Sequence, residues 1–500
     1  MNKRYYDFLN DITPNELYEG LLGYGLFAEK LPPIFTSKPF LDFCKENINT
    51  FKRGPTNYIY YESIRHTNTP RPMGIPNPFN YEYLCSFLKD NWDKLLDHFW
   101  NQTKEQKYIV SRVHIRKRRE LKPLFEMNYK NWKEDGTPEP SLLIGAKYIV
   151  KVDISQCFPS IYTHALSWAL VGKTEAKKER YKKNWYNQLD EMTRNLRNGE
   201  THGIIIGPHT SNILSEIILT SVDNKMLQST SEQWKYIRNI DDYTCFVDSY
   251  EKAQLFIAEL SEQLRYYDLS LNHKKTEIEK LPTGATEQWV RKINTIIAFN
   301  QKNYFDYKDV QYMLDMGIEL MHKNKENAAV INYLIKVLSH KELSQNAQDY
   351  YTKTIFHLSL LYPYLVTLLE TCVFMPFNTP KEEIEKIANS IFYAGMKSKA
   401  YEQSSYALYY AIKYDFIIKD FPIEDIIKSG DCILMTLSFF YAKNKNNKDA
   451  VKKIKETAKK IQDRGDMDSY WLFVYESLPK SDLKSNWVVL KDKKVSFVNL

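Results

Sequence analysis

Paired cysteines, a long apolar run and a strong net charge are all missing from this chain of 500 residues. Its six cysteines stand singly, without the spacing of metal ligands or of a redox pair, which argues against a disulfide framework. No charged and then apolar leader follows Met1, so we expect a cytoplasmic protein. The formal charge of +7 is too small to indicate a nucleic-acid partner by itself.

The longest apolar stretch, Ile355 to Phe377, is interrupted by His357 and Glu370 and has Pro363 in its middle. A membrane-spanning helix needs about 20 clean apolar residues. Because proline breaks a helix, we expect two buried helical segments that meet near Pro363, and no membrane partner.

Glycine is scarce in the last 200 residues, which hold only four of the 16. Glycine marks turns and special backbone geometry, so the two parts of the chain should be built differently. The first part mixes predicted strands at Tyr148–Ile154 and Tyr236–Val247 with predicted helices at Ala176–Asn198 and Thr210–Gln228. The fold class is therefore α+β, with a domain boundary expected near residues 282–305.

The last 200 residues read as consecutive helices joined by short links, which suggests helix pairs stacked as an irregular solenoid. No repeat period is clean enough to prove this arrangement. The predicted helices are Asp309–His322, Asn327–Leu338, Asn346–Leu360, Lys381–Met396, Glu402–Tyr414 and Asp449–Arg464.

An acidic residue, Asp153, ends the first apolar strand, and the aromatic Phe158 follows five residues later. Mg²⁺ prefers hard oxygen ligands, which a carboxylate on a rigid strand supplies. Taken alone, Asp153 fits equally well as the cap of a helix that begins near Ser155.

Two adjacent carboxylates, Asp241 and Asp242, interrupt the second strand-like run. Like charges side by side are unfavourable unless they lie in a solvated turn or bind cations. If this run lies beside the strand of Asp153, the three carboxylates can hold two cations about 3.5–4 Å apart, as an in-line displacement requires. We therefore predict that Asp153, Asp241 and Asp242 bind Mg²⁺ or Mn²⁺.

Two more segments are of interest, one before the Asp241–Asp242 pair in the chain and one after it. Gly203 and Gly207 precede a helical run and permit close approach of the backbone to a ligand. Lys275 follows a short alternating strand. Taken alone, the segment with Gly203 and Gly207 fits an ordinary loop before a helix, and Lys275 fits a solvated surface lysine.

In this order, the four segments resemble the palm motifs A, B, C and D of reverse transcriptases. The resemblance implies that Asp153, Asp241 and Asp242 are catalytic metal ligands. It also implies that Lys275 protonates the leaving pyrophosphate or neutralises its charge.

The same resemblance assigns three residues to nucleotide binding. Phe158 matches the aromatic residue that excludes a ribose 2′-hydroxyl and so favours dNTPs, Gly203 matches the loop beneath the nascent pair, and Arg71 is similar to the fingers arginine that meets the triphosphate. Two positions depart from the pattern. Asn239 replaces the tyrosine expected before Ile240, and His202 replaces a glutamine, which puts conventional templated copying in doubt.

The densest basic cluster spans residues 112–119, with five lysines and arginines in eight positions. We expect its central residues, Arg116 and Lys117, to contact phosphate or nucleotide, although such a run can also lie in solvent. Together with residues 153–162 and the tyrosine-rich helical tail, this cluster resembles the abortive-infection (Abi) reverse transcriptases of bacterial phage defence.

That family resemblance implies a right-hand polymerase palm and fingers without a conventional thumb, followed by an all-α helical-repeat (HEAT-like) domain. Residues 1–290 would form the first part, with the fingers mainly in 1–140 and the palm mainly in 141–290, and residues 300–500 the second. It also implies a homo-oligomer that makes DNA without a template and primes on a protein hydroxyl. The single-stranded DNA product would stay attached to a tyrosine. Candidates expected to be accessible for priming are Tyr5, Tyr6, Tyr18 and Tyr24.

Two other functions remain open from the sequence. One is conventional RNA-templated reverse transcription, with the helical tail binding RNA. The other is a polymerase-shaped scaffold that acts by binding a protein.

Overall fold

The computed structural model describes most of the chain, and helices predominate in the part described. The largest sheet there has four strands, and the remaining sheets have two each. The described residues are 4–47, 51, 53–106, 110–111, 115–118, 124–127, 136–228, 233–284, 286–299 and 304–500.

The amino-terminal part combines helices with a long β-hairpin. Strand β1 (Tyr58–Ile64) pairs antiparallel with β2 (Pro70–Pro76), and the short strands β3 (Ile115–Lys117) and β4 (Phe125–Met127) form a second pair. Sequence signals set the helix starts: Thr13 and Glu16 form a capping box, with proline at the first helical position. The helices are α1 (Tyr5–Asn10), α2 (Pro14–Tyr24), α3 (Lys38–Glu46), α4 (Pro78–Asp90) and α5 (Trp92–Thr103).

The central sheet is antiparallel, in the order β6, β7, β5, β8. Its strands are β5 (Tyr148–Asp153), β6 (Lys235–Asn239), β7 (Asp242–Val247) and β8 (Glu277–Lys280). Both predicted strand regions are confirmed, and a tight turn divides the second one between β6 and β7. The helices of this part are α6 (Glu139–Leu143), α7 (Cys157–Ser160), α8 (His164–Val171), α9 (Lys173–Lys178), α10 (Trp185–Asn195), α11 (His209–Gln228) and α12 (Tyr250–Tyr266).

The prediction of one helix over 176–198 is wrong. The chain forms α9, leaves the helix at Glu179 and re-enters it at Trp185. Asparagine side chains stabilise the break, because the Asn187 amide donates hydrogen bonds to the carbonyls of Glu179 and Lys182, both at 2.9 Å.

The carboxy-terminal part is helical, and all six helices predicted there are present with ends shifted by a few residues. The stretch around Pro363 also behaves as predicted: one helix ends at Leu361, and buried helical turns follow from Pro363. None of the helices in the described ranges has the length and apolar character that crossing a membrane requires. The helices are α13 (Gln288–Phe299), α14 (Tyr307–Lys323), α15 (Ala329–Leu338), α16 (Gln345–Leu361), α17 (Lys381–Ser398), α18 (Tyr401–Lys413), α19 (Ile423–Ser429), α20 (Cys432–Asn444), α21 (Lys448–Asp463), α22 (Trp471–Ser477) and α23 (Asn486–Asp492).

The two parts share one continuous apolar core. Phe497 near the end of the chain packs against Phe40, with ring centroids 5.6 Å apart. The hairpin is fixed to the helical tail as well, since the Ile64 N–H donates to the Glu402 carboxylate at 2.8 Å. The helical tail therefore supports the hairpin directly.

Candidate active site

Asp153 and Asp242 face each other at one end of the central sheet. They are register partners on β5 and β7, and their carboxyl groups interact electrostatically. Asp153 is 7% exposed, whereas Asp242 keeps an exposed surface. Strand pairing thus brings together two carboxyl groups that are distant in the chain.

Asp241 lies in the tight turn between β6 and β7. The preceding residue, Ile240, has a φ of +56°, a conformation that β-branched residues rarely adopt. Two hydrogen bonds hold the turn: the Arg238 guanidinium donates to the Ile240 carbonyl at 3.0 Å, and the Ile154 N–H donates to the Asp241 carbonyl at 3.1 Å. Backbone strain of this kind is concentrated at functional sites, and here it sets Asp241 beside the end of β5.

The three carboxyl groups repel one another. Burial, followed by repulsion from Asp153, raises the pKa of Asp241. Burial, followed by Asp241 and Asp153, raises the pKa of Asp242 to about 6, although solvent at the exposed side chain screens part of this effect. The charge of Lys275 opposes both shifts. A cation bound here would relieve the repulsion.

Lys275 supplies the positive charge nearest to Asp153. Its Nζ lies 2.5 Å from Asp153 Oδ2, at the end of a short 3₁₀ turn, His273–Lys275. Asn272 caps that turn, and its N–H donates to the Asp153 carbonyl at 2.7 Å. The lysine is therefore tied to the strand end that carries the aspartate.

The donor chemistry of the three aspartates suits Mg²⁺ or Mn²⁺, which take carboxylate oxygens. In the described ranges, however, no group of three or more His, Cys, Asp or Glu side chains is placed to hold a metal ion. The Lys275 ammonium instead contacts Asp153 Oδ2, one of the oxygens that a cation would need. Metal binding by Asp153, Asp241 and Asp242 therefore requires these side chains to rearrange.

Backbone hydrogen bonds hold the segment of Phe158 beside the segment of Gly203. Phe158 is buried in α7, and its carbonyl accepts a hydrogen bond from the Ile204 N–H at 2.9 Å. Gly203 has a φ of +85°, and a Cβ there would lie 2.9 Å from the Pro159 carbonyl and closer still to the Arg197 guanidinium. Glycine is required at this position.

The three basic candidates differ in their surroundings. Arg71 on β2 is exposed and interacts electrostatically with Asp241, which places it at the site. Arg116 is 4% exposed and pairs with Glu126 at 3.3 Å, and Lys117 pairs with Glu16 at 2.6 Å. Both side chains are therefore paired with carboxylates, and their contact with phosphate or nucleotide stays a prediction. The other basic residues of that cluster, except for Arg118, lie outside the described ranges.

Residues 122–307 match the family model described as "Reverse transcriptase (RNA-dependent DNA polymerase)". That range holds the whole central sheet with Asp153, Asp241, Asp242 and Lys275. The chain contains a reverse-transcriptase domain. Such a domain implies nucleotidyltransferase activity of the polymerase type.

No curated protein matches this chain in sequence. Among solved structures, the apo telomerase of Candida tropicalis aligns at 11% identity with a TM-score of 0.34, covering 79% of this chain and 73% of that one. The same telomerase truncated from the C-terminal domain aligns at 12% identity with a TM-score of 0.31, covering 48% of this chain and 52% of that one. The Candida albicans telomerase in complex with the TWJ fragment of telomeric RNA aligns at 12% identity with a TM-score of 0.31, covering 71% of this chain and 64% of that one. The chain thus spans less than two thirds of the length of the last two.

A buried ionic network supports the reverse-transcriptase domain behind its aspartates. Arg238 is fully buried and pairs with Glu216 at 2.5 Å and with Asp223 at 2.8 Å, both on α11. Tyr5 of α1 donates its hydroxyl to Glu216 at 2.6 Å. Sequence reasoning missed this network. The available signal was an arginine inside the strand that precedes Asp241, with two acids seven residues apart on one face of an apolar helix.

The two departures from the reverse-transcriptase pattern lie close to the site. Asn239 is the register partner of Asp242, and its Oδ1 is buried without a hydrogen-bond partner in the part of the chain that the structure describes. His202 is exposed, and its ring lies 5.1 Å from that of Tyr162.

Proposed function

We propose that this chain is a DNA polymerase of the reverse-transcriptase type, adding dNTPs with Mg²⁺ or Mn²⁺ held by Asp153, Asp241 and Asp242. The observation that carries the proposal is the register pairing of Asp153 with Asp242 beside the strained turn that bears Asp241. When bound, the cations would neutralise phosphate charge and lower the pKa of the attacking hydroxyl.

The chain's own side chains supply the remaining roles. The exposed Arg71 orients the triphosphate from the hairpin. Phe158 closes the space where a ribose 2′-hydroxyl would lie, which favours deoxynucleotides. Lys275 leaves Asp153 when nucleotide and metal bind, and then protonates the pyrophosphate oxygen as it departs.

The resemblance to Abi reverse transcriptases extends this proposal to synthesis without a template, primed on a tyrosine, by a homo-oligomer in the bacterial cytoplasm. The biological role would be abortive infection. Asn239 and His202 support the absence of a template, because they replace residues that position primer and template in the usual pattern.

The tyrosines suggested for priming have different surroundings. Tyr5 is 2% exposed and bonded to Glu216, so it cannot reach a reacting phosphate without unpacking α1. Tyr18 is half-buried, and its hydroxyl donates to Glu82 at 3.2 Å. Tyr6 and Tyr24 are partly exposed and stay candidates.

A labelling experiment tests the proposal. Purified chain incubated with Mn²⁺ and labelled dNTPs, without nucleic acid, should acquire covalent label that resists denaturation. Asp241→Ala should lose this label. Asp248→Ala, which changes an exposed aspartate directly after the end of β7, should keep it. Equal labelling of Asp241→Ala and the unmodified chain would show that the catalytic assignment is wrong.

RNA-templated synthesis is the second candidate, favoured by the description of the matched family model. Adding a defined RNA with a DNA primer and sequencing the product separates the two functions. A complementary product supports templated copying, and a product unrelated to the added RNA supports the first proposal.

A further inference from the structure

A groove of about 590 Å³ opens between α8, α9 and α10. We call it the α8–α10 groove. It includes three aromatic side chains and five lysines and arginines, together with Asp190 and Glu191. The residues used below are Tyr162, Trp168, Lys177, Arg180, Tyr181 and Lys183.

Three basic side chains of the groove have no acidic partner among the described residues. Residues 173–183 contain six lysines and arginines and only two glutamates. Lys177, Arg180 and Lys183 are exposed, and no salt bridge to them is present in the described part of the chain. Asp190 adds little negative charge, because it forms an ion pair with Arg194, whose Nε lies 3.4 Å from the carboxylate. The rim of the groove therefore attracts anions.

Aromatic side chains alternate with these cations. Tyr181 is 84% exposed, and the Arg180 guanidinium lies 4.5 Å from its ring. Trp168 has the Lys173 ammonium 4.0 Å from its ring. Exposed rings beside a basic track are how proteins bind single strands, because bases stack on the rings while the cations follow the phosphates. An acidic polypeptide would use the cations but would leave the rings unused.

A strip of paired backbone connects the groove to the candidate active site. The Phe158 carbonyl bonds to the Ile204 N–H, the Ile161 carbonyl bonds to the Gly203 N–H at 2.8 Å, and Tyr162 is the bridge partner of His202. Tyr162 follows Phe158 by four positions, which limits their Cα separation to about 14 Å. Phe158 and Tyr162 therefore lie within about four nucleotide steps of a duplex strand.

We propose that the α8–α10 groove binds single-stranded nucleic acid and receives the strand that grows at Asp153 and Asp241. The source of the strand rests on the proposed function, but the capacity of the groove to bind a strand does not. The cations of α9 and its following turn hold the phosphates, and Tyr181 and Trp168 stack on the bases.

Fluorescence anisotropy with a labelled 12-nucleotide oligo(dT) tests the groove in the full chain. Lys177→Glu/Arg180→Glu/Lys183→Glu should weaken binding about 100-fold at 0.1 M salt and reduce the salt slope by about 2. Tyr181→Ala should weaken it about fivefold or more, and Tyr181→Trp should restore it. All four positions are exposed, and thermal melting checks that each variant is folded.

The matched control reverses three lysines on α21, Lys448→Glu/Lys452→Glu/Lys455→Glu, which also line a basic cavity. That cavity has no aromatic side chain among its lining residues. Unchanged oligonucleotide binding by the control supports the proposal, and an equal loss in both triple variants overturns it. Displacement of the oligonucleotide by polyglutamate of the same charge also overturns it, because charge alone would then explain binding.

Two readouts separate this proposal from the proposed function. Asp241→Ala should lose nucleotide incorporation and keep oligonucleotide binding, whereas the groove variants should lose binding and keep addition of the first nucleotide. If Asp241→Ala still incorporates nucleotide, the proposed function fails while the groove stands. In the unmodified chain, an oligonucleotide with 5-iododeoxyuridine should crosslink within residues 162–194 on irradiation, and crosslinks only elsewhere would refute the groove.

Discussion

The ammonium of Lys275 lies 2.5 Å from Oδ2 of Asp153, although 121 residues stand between them in the chain. This lysine is the cation partner of the aspartate in the structure. It opposes the raised pKa values of Asp241 and Asp242 as well. A divalent cation that binds the three carboxylates must compete with this side chain, so Lys275 should affect metal affinity and reaction rate in opposite directions.

Lys275→Met should therefore bind Mn²⁺ more tightly and incorporate nucleotide more slowly. Removal of the competing charge strengthens metal binding, whereas loss of a general acid costs about 100-fold or more in rate. Mn²⁺ titration by electron paramagnetic resonance and a dNTP incorporation assay measure the two effects.

The neighbouring Lys274 offers a matched control, since it is an exposed lysine one position earlier. Lys274→Met should change neither the affinity for Mn²⁺ nor the rate of nucleotide incorporation. Lys275→Arg should still compete with the metal for the carboxylates. A Lys275→Met variant with full incorporation rate would show that this lysine has no part in the reaction.

Gly203→Ala should reduce both stability and incorporation. The left-handed backbone alone costs alanine about 1–2 kcal/mol, and the new Cβ would also collide with the Pro159 carbonyl and Arg197. Gly199 has a similar φ of +81° with open space around it, so Gly199→Ala isolates the backbone cost. We expect a clearly larger drop in melting temperature for Gly203→Ala, and incorporation lost only there. Equal effects of the two substitutions would contradict a packed role for Gly203.

The sequence predicts those parts of the site whose signal lies within one short segment of the chain. The strand that ends at Asp153 and the turn at Asp241 are short-range patterns that the sequence shows. Their pairing was only a condition of the sequence interpretation, and its antiparallel register is a finding of the structure. The partners of Arg238, Glu216 and Asp223, lie on the helix just before its strand, but strand patterns do not show which helix face packs behind the sheet. The acidic partners of Arg116 and Lys117, Glu126 and Glu16, could not be recognised from the basic run itself. Phosphate contact by these two residues stays a prediction.

The helices differ in the same way: some have a local sequence signal, and others do not. Helices with one apolar face, such as Lys381–Ser398, were predictable from their period. Cys432–Asn444 was not, because nearly every position from Cys432 to Phe439 is buried and no polar face marks it as a helix. The broken helix at 179–184 depends on asparagine side chains that bond to nearby carbonyls, which apolar spacing cannot reveal.

Tyr5→Phe should lower stability without abolishing covalent labelling. The substitution removes a buried hydrogen bond to the Glu216 carboxylate, worth about 1.5–3 kcal/mol. Tyr6→Phe is the control on the same helix, because that hydroxyl makes only an exposed 3.3 Å bond to Asn10. Melting curves and labelling with dNTPs should show a loss of stability for Tyr5→Phe alone. Loss of label in a folded Tyr5→Phe protein would identify Tyr5 as the priming residue after all.

His209, at the start of α11, should make the protein sensitive to acid. It is 4% exposed, and its Nδ1 has no hydrogen-bond partner in the described ranges. Burial lowers the pKa of His209 from its ordinary 6.5 to about 4. Above pH 6.5 the ring is neutral in both the folded and the unfolded chain, so its full contribution to stability is present. As the pH falls from 6.5 to 4, the unfolded chain takes up a proton that the folded chain does not, and the free energy of unfolding decreases.

The histidine should therefore cost about 2 kcal/mol of stability at pH 5 relative to pH 8. His209→Phe removes the titrating group and keeps a ring in the same space, so its stability should differ little from that of the unmodified chain at pH 8 and exceed it at pH 5. Urea unfolding at the two pH values measures the difference. Parallel losses of stability in both proteins between pH 8 and pH 5 would mean that His209 is not responsible for the acid sensitivity.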